Sequence, residues 1–324
     1  MAGPSSPSAS VQVMSGNKRL CVLGECMLEV SAENLVGARA PAGLAYGGDT
    51  LNTALYFARL GGAVDYLTAL GDDPLSAWML DCWAAEGIAC GHVARVPGGA
   101  PGLYLIQVDE HGERSFVYWR DQSPARGLLQ SVDQLTTLLE KAAPRADLFY
   151  LSGITLALMS TRTRETFYEF ARSFRATGGL IAFDSNHRPL LWSDADTARR
   201  SYQEMYAHTD VALSTADDEY ALFGGHSTAD VVERLGAWGV SEIVVKEGDG
   251  GATLSTDGLV TSVAAESVAV IDTTAAGDSF NAAYLWSRAV NLPPESAAAN
   301  GHTLAGRVIG HRGAIIARDA MPVM

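Results

Sequence analysis

Six short apolar runs recur along the 324-residue chain: RLCVLGE (19–25), VDYLTALGDD (64–73), DLFYLSG (147–153), LIAFDSN (180–186), DVALST (210–215) and EIVVKEG (242–248). Each is closed by polar residues or glycine and stays apolar without alternation, the pattern of a strand covered on both faces. Helical patterns such as TLNTALYFARLG, STRTRETFYEFARSFRATGG and DVVERLGAWG lie between them. Strand alternating with helix predicts an α/β fold, a mostly parallel sheet with helices on both sides. Such sheets bind ligands beyond the carboxyl ends of their strands, so the polar residues there are the ones to inspect.

One segment departs from this rhythm. GLYLIQVDEHGERSFVYWRD (102–121) holds two strand-like runs joined by a glycine-containing turn, a β-hairpin. A turn centred on His111 sets Tyr104 opposite Tyr118 and Gly102 opposite Arg120, so that Phe116, Tyr118 and Arg120 share a face with Tyr104. With MLEVSAENLVGARAPAGLAYGG (27–48), this segment is expected to form a small sheet that lids the strand ends, its two pieces inserted at about 27–47 and 96–122. A lid implies closure over a bound substrate. Its outer face and edges suit pairing with a second copy, a homo-oligomer.

The length suits roughly two domains, or one large α/β domain carrying an insert; here residues 19–324 read as one domain behind a Ser- and Pro-rich leader, 1–18, expected to be disordered. That leader has no apolar core, which argues against a signal peptide. No stretch approaches the roughly 18 apolar residues of a membrane span. Cys21, Cys26, Cys82 and Cys90 form no CxxC pair, in keeping with thiols in a reducing cytoplasm. A net charge of −14 speaks against nucleic acid or an anionic membrane as partner. It also requires that any anionic substrate meet locally positive groups.

The densest chemistry lies in DTTAAGDSFNAAY (272–284), where small residues surround Asp278 at an expected strand-to-helix turn. Small side chains let the backbone approach a ligand, and the unpaired N–H groups of a new helix suit an anion such as phosphate. Asp278 then falls in the first turn, where the helix dipole favours its ionised form. There it could take a proton from a hydroxyl held beside the phosphate. Spacing alone also allows Asp278 to be a plain helix cap.

DTTAAGD resembles the signature of the PfkB (ribokinase-like) carbohydrate kinases, YGGDTLNTALYFARLGG (46–62) their amino-terminal glycine pair, and VVKEGDGG (244–251) the strand and loop that lie along the nucleotide. The resemblance runs from about Arg19 to the end and implies a three-layer αβα core with a small β-sheet lid. Further matches, namely GGDTLNTA, PGLYLI, FVYWRDQSPAR, YLSGI, FDSNHRP, DTTAAGDSF and HRGAIIARDAMPV, are similar to the 2-keto-3-deoxygluconate kinases within that family. Those enzymes use ATP to phosphorylate a sugar acid at its 6-hydroxyl. The resemblance makes Asp278 the base and Ala275, Ala276 and Gly277 the anion hole. It gives the sugar to Gly48, Asp49 and Asn52, the pocket wall to Tyr104 and Tyr118, and the acid end to Arg120 and Arg188.

Physical chemistry supports the arginines separately, because a guanidinium pairs with a carboxylate in a directional, bidentate way. Each arginine alone could also be a solvated or structural charge. For the nucleotide the resemblance implies Asn186, Thr215, Lys246, Gly248 and Gly251, with His302 in the adenine pocket, although a lone helical histidine is often only packed. ATP brings Mg2+, and the family's Asn-x-x-Glu element near the metal is replaced here by Thr215 and Asp218, the latter acting through water. Asp272 and Thr274, with the backbone at Arg312 and Gly313, resemble a loop for a monovalent cation such as K+, and equally a simple turn. GxxxxGK[ST], GxGxxG and HExxH are all absent. Besides this sugar-acid kinase, a kinase of fructose, ribose or the galactonate epimer and a non-catalytic sugar sensor remain as alternatives.

Overall fold

In the computed structural model, which describes residues 18–33, 41–108 and 114–324, all six apolar runs are strands. They sit in one eight-stranded sheet in the order Leu259–Val263, Ala252–Thr256, Glu242–Lys246, Val211–Thr215, Leu180–Asp184, Leu148–Ser152, Arg19–Leu23, Ala63–Leu67. The last six are mutually parallel. The first two extend the edge antiparallel, turning at Asp257 and Gly258, whose φ angles of 52° and 78° suit the Asp-Gly hairpin turn.

Side chains alternate across a strand, so each strand feeds two cores. Leu20, Val22, Leu148, Tyr150, Ala182, Leu213 and Val244 pack with helices Asp49–Arg59, Ala276–Ala289 and Pro294–Ile309. Cys21, Leu23, Phe149, Leu151, Ile181, Phe183, Ala212, Ile243 and Val245 pack with helices Val132–Ala142, Thr161–Ala176, Ala195–Ala207 and Thr228–Ala237. This is the three-layer αβα core expected from the sequence. Ser131, Ser160, Asp194 and Ser227 cap the second set through N–H bonds to their side chains. Helices Asp49–Arg59 and Ala276–Ala289, which carry the two glycine-containing motifs, have no side-chain cap. At these starts the Ala276 N–H donates to the Thr273 carbonyl at 3.2 Å and the Thr50 N–H to the Asp49 carboxylate, and no side chain from the preceding residue caps the turn.

The two irregular pieces form one four-stranded sheet, in the order Ala42–Gly47, Met27–Glu33, Leu103–Val108, Arg114–Trp119. Tyr104 lies opposite Tyr118, as the hairpin reading required. The turn at His111, the segment 34–40 and the leader up to residue 17 lie outside the described residues. Tyr104, Phe116 and Tyr118 share one face with Glu29, while Leu44, Val117 and Trp119 lie exposed on the other.

The apolar stretch VAVI (268–271) corrects the sequence reading, since it is no strand. It runs irregular and largely exposed, and the N–H groups of Ile271 and Asp272 donate to the Ile309 carbonyl at 2.8 and 3.1 Å. The end of helix Pro294–Ile309 takes the bonds that a neighbouring strand would have taken. Among the described residues no helix is long and apolar enough to cross a membrane, and the four cysteines are free thiols.

Candidate active site

The turn before helix Ala276–Ala289 is sharp. Ala275 adopts φ 60° and ψ 18°, the left-handed region that a residue with a Cβ rarely enters, and this strain aims the uncapped helix start outward. Asp278 sits in the first turn and is 9% exposed. Helix Asp49–Arg59 holds it from across the gap. Asn52 Nδ2 donates to Asp278 Oδ2 at 2.8 Å, and Thr53 Oγ1 to the Asp278 carbonyl at 3.2 Å. Small residues on both helices are what bring the two backbones this close.

Burial, and then the nearby Asp49 carboxylate, raise the pKa of Asp278 to about 8, with Asp184 adding to the rise and Asn52 and Lys246 opposing it. The helix dipole was expected to favour the ionised form. Desolvation and two neighbouring carboxylates outweigh it, because a partial charge at a helix end is weaker than a full charge removed from water. Asp49 is itself raised, chiefly by burial, and Asn186 Nδ2 donates to its Oδ2 at 2.9 Å.

On the sugar side, Gly48 opens helix Asp49–Arg59 against the strand end at Glu25, where a Cβ would overlap the Glu25 carbonyl oxygen. Arg120 donates through Nε and Nη2 to the buried Glu25 carboxylate, which also accepts from Ser123. Arg120 is therefore a paired guanidinium and not a solvated charge. Tyr104 donates to Glu29, and a Cβ on Gly47 would stand 2.5 Å from its Oη, which puts the tyrosine directly over the glycine pair. Tyr118 lies 6.0 Å from Tyr104 between ring centroids and is half exposed. Arg188 is separate from this group. It is exposed, donates from Nη1 to the His187 carbonyl at 2.9 Å, and its charge bears on Asp218.

On the other side of Asp278, Asp218 Oδ2 accepts from Ser185 Oγ at 3.2 Å and from the His187 N–H at 3.1 Å. Ser185 Oγ also accepts from the Thr215 N–H at 3.0 Å. Thr215 and Asp218 are thereby tied to the strand end at Asp184. Lys246 is buried, donating from Nζ to Asp184 Oδ1 at 3.2 Å and Asn281 Oδ1 at 2.9 Å. Gly248 and Gly251 bound the short turn after it, at φ 62° and 99°. His302 lines a cavity of about 460 Å³ with Val268, Ile271, Thr303 and Gly306; its Nε2 is buried without a hydrogen-bond partner, and burial lowers its pKa. Asp272 links two segments, accepting from Thr274 N and Oγ1 at 3.1 and 2.7 Å and from Gly313 N at 2.7 Å.

A family model described as pfkB family carbohydrate kinase matches residues 17–321. The chain belongs to this family. It is 44% identical over 314 residues to a 2-dehydro-3-deoxygluconokinase of Escherichia coli strain K12, covering 94% of this chain and 99% of that one. It is 41% identical over 313 residues to a 2-dehydro-3-deoxygluconokinase of Dickeya dadantii, with the same coverage. Among solved structures, a putative ribokinase II of E. coli in complex with ATP and Mg2+ superposes with a TM-score of 0.81 at 20% identity, over 94% of this chain and 96% of that one. At that identity the likeness establishes the fold.

Within this pfkB chain, three side chains at the site were missed in the sequence: Glu25, Asp184 and Asn281. The first two close the apolar runs 19–25 and 180–186, where the rule about strand ends already pointed. Asn281 lies three residues after Asp278, on the same face of its helix. Its Nδ2 donates to Asp184 Oδ2 at 2.9 Å and Tyr150 Oη at 3.2 Å.

Proposed function

We propose that this pfkB kinase transfers the γ-phosphoryl group of ATP to the 6-hydroxyl of 2-keto-3-deoxygluconate. The observation that carries the reading is Asp278, buried at an uncapped helix start and held by Asn52. Its raised pKa places a proton acceptor near neutral pH. The full-length likeness to 2-dehydro-3-deoxygluconokinases supports the choice of acceptor. In the step, ionised Asp278 takes the hydroxyl proton as the new O–P bond forms, the β–γ bond breaks and ADP leaves. The N–H groups around Ala275, Ala276 and Gly277 face the charge on the transferring group.

The sugar lies between Gly48, Asp49, Asn52 and the lid face of Tyr104 and Tyr118. Arg120 and Arg188 attract its carboxylate. The nucleotide runs past Asn186, Thr215, Gly248 and Gly251 into the cavity beside His302, whose unpartnered Nε2 offers the base a hydrogen bond. A Mg2+ ion accompanying the nucleotide would neutralise phosphate charge. The carboxylate of Asp218 is a hard oxygen donor suited to holding it through water. The oxygen-rich loop of Asp272 and Thr274 is read as a K+ site, the protein as cytoplasmic, and the exposed Leu44, Val117 and Trp119 face as a contact between two copies, which sedimentation measures directly.

A coupled ADP-release assay tests the acceptor, over 2-keto-3-deoxygluconate, its galactonate epimer, fructose, ribose and adenosine. Turnover is expected with the sugar acid, and faster in K+ than in tetramethylammonium. Turnover with fructose and none with the acid would overturn the reading, and binding without turnover would make the chain a sensor.

Arg120→Ala is expected to raise KM for the acid by roughly tenfold or more with a smaller change in kcat. It also strands the buried Glu25, so the variant is compared with Arg120→Ala/Glu25→Gln. The second change should restore Tm and leave KM high. An unchanged KM would mean that Arg120 serves only Glu25.

A further inference from the structure

Lys246 was expected along the nucleotide, yet the residue is only 7% exposed and its ammonium is fixed by two bonds, to Asp184 Oδ1 and Asn281 Oδ1. The same Asp184 and Asn281 are joined to each other at 2.9 Å, so the cation sits in a closed triad. Its position relative to the anion hole is the informative point. A Cβ built on Gly277 would meet a single atom within 4 Å, Lys246 Nζ at 3.6 Å. The ammonium therefore stands behind Gly277, where a side chain would otherwise project. It is bonded to the Asp184 carboxylate, and its charge bears on Asp278, whose pKa Asp49 and Asp184 raise.

We infer that Lys246 is the fixed charge of the anion hole. It backs the Gly277 turn with a full positive charge, without contacting the nucleotide. The reason is electrostatic. A turn of partial N–H charges beside the carboxyl groups of Asp184 and Asp278 gains from a full positive charge when an anionic phosphoryl group arrives. A buried ammonium acts at low local dielectric and is already oriented, so it need not reorganise as charge moves. The triad supplies the orientation: Asp184 and Asn281 use two of the three N–H groups of Lys246 and fix where its charge lies. In this arrangement Lys246 is a positioning residue acting through the Gly277 turn, and Asp278 remains the group that touches the hydroxyl. A Cβ at Gly277 would rest in ordinary van der Waals contact with this cation.

The inference rests on the proposed phosphoryl transfer, so wild-type turnover with the sugar acid is measured first; its absence would count against that reading itself. Lys246→Met is then expected to lower kcat by on the order of 10²-fold, while KM for ATP and ATP affinity by equilibrium titration stay within about twofold. Removing the lysine leaves Asp184 buried without its counter-ion, so Lys246→Met/Asp184→Asn is measured beside it. The double variant should recover Tm and keep the low kcat. Three results would overturn the inference: kcat unchanged in Lys246→Met; KM for ATP raised tenfold at constant kcat, which makes Lys246 a nucleotide ligand; or kcat restored in the double variant, which makes it only the partner of Asp184.

Discussion

Asp278→Asn is expected to lower kcat by on the order of 10²-fold or more, to leave ATP binding intact, and to raise the Tm at pH 8. The first two results follow from the loss of a proton acceptor in an otherwise preserved site, since an asparagine Oδ1 can still accept from Asn52. The third follows from linkage. A carboxyl whose pKa is raised on folding binds its proton more tightly in the native state than in the unfolded chain. Stability therefore falls as pH rises from about 4, the unfolded value, to about 8, the folded one. Asparagine removes that penalty. The Tm advantage of the variant should be present at pH 8 and vanish near pH 4. In the wild type, kcat/KM should climb with pH across the same upper range, because only the ionised form takes the proton. A variant with normal kcat would remove Asp278 from the chemistry, and one that loses Tm at pH 8 would make it a structural cap.

The same electrostatics explain how far the sequence could be read. The six runs each gave a strand of the central sheet because each is apolar on both faces, and only a sheet covered on both sides satisfies that pattern. Asp278 was legible because small residues crowd no other acid in the chain so closely. Its raised pKa was not legible, since the causes are burial between elements far apart in sequence, then Asp49, some 230 residues away, and Asp184 on a third element. Arg120 was legible as a charge facing the lid interior, while its ion pair with Glu25 was not; that pair joins a lid strand to the first core strand, a contact no local pattern encodes. The stretch VAVI failed for the opposite reason. Its composition suits a strand, but the helix end at Ile309 takes the N–H groups of Ile271 and the following Asp272.

Glycine at position 48 is where the fold and both halves of the site meet, and Gly48→Ala should damage all three. The backbone does not demand glycine there, because φ is 172°, extended chain open to any residue. The constraint is approach: a Cβ would overlap the Glu25 carbonyl oxygen and lie 3.1 Å from Cys26 Cα. Both neighbours are backbone, so no rotamer change relieves the overlap, and the helix start must move off the strand end. Overpacking of this kind costs about 1–3 kcal/mol, or a Tm lower by several degrees. The displaced strand end carries Glu25 and, through it, Arg120. The displaced helix carries Asn52, whose N–H bonds the Gly48 carbonyl at 2.8 Å and whose side chain holds Asp278. KM for the sugar acid should therefore rise and kcat fall together, each by roughly tenfold, since a shift of about 1 Å at a reacting group costs that much or more. Gly61→Ala, beyond the far end of the same helix, is the control. Its φ of 89° carries strain for a side chain, but nothing lies within 4 Å, so it should lose about 1 kcal/mol with unchanged kinetics. Equal kinetic losses in both variants would trace the defect to general destabilisation, and wild-type kinetics in Gly48→Ala would show that the strand end and the helix start move independently.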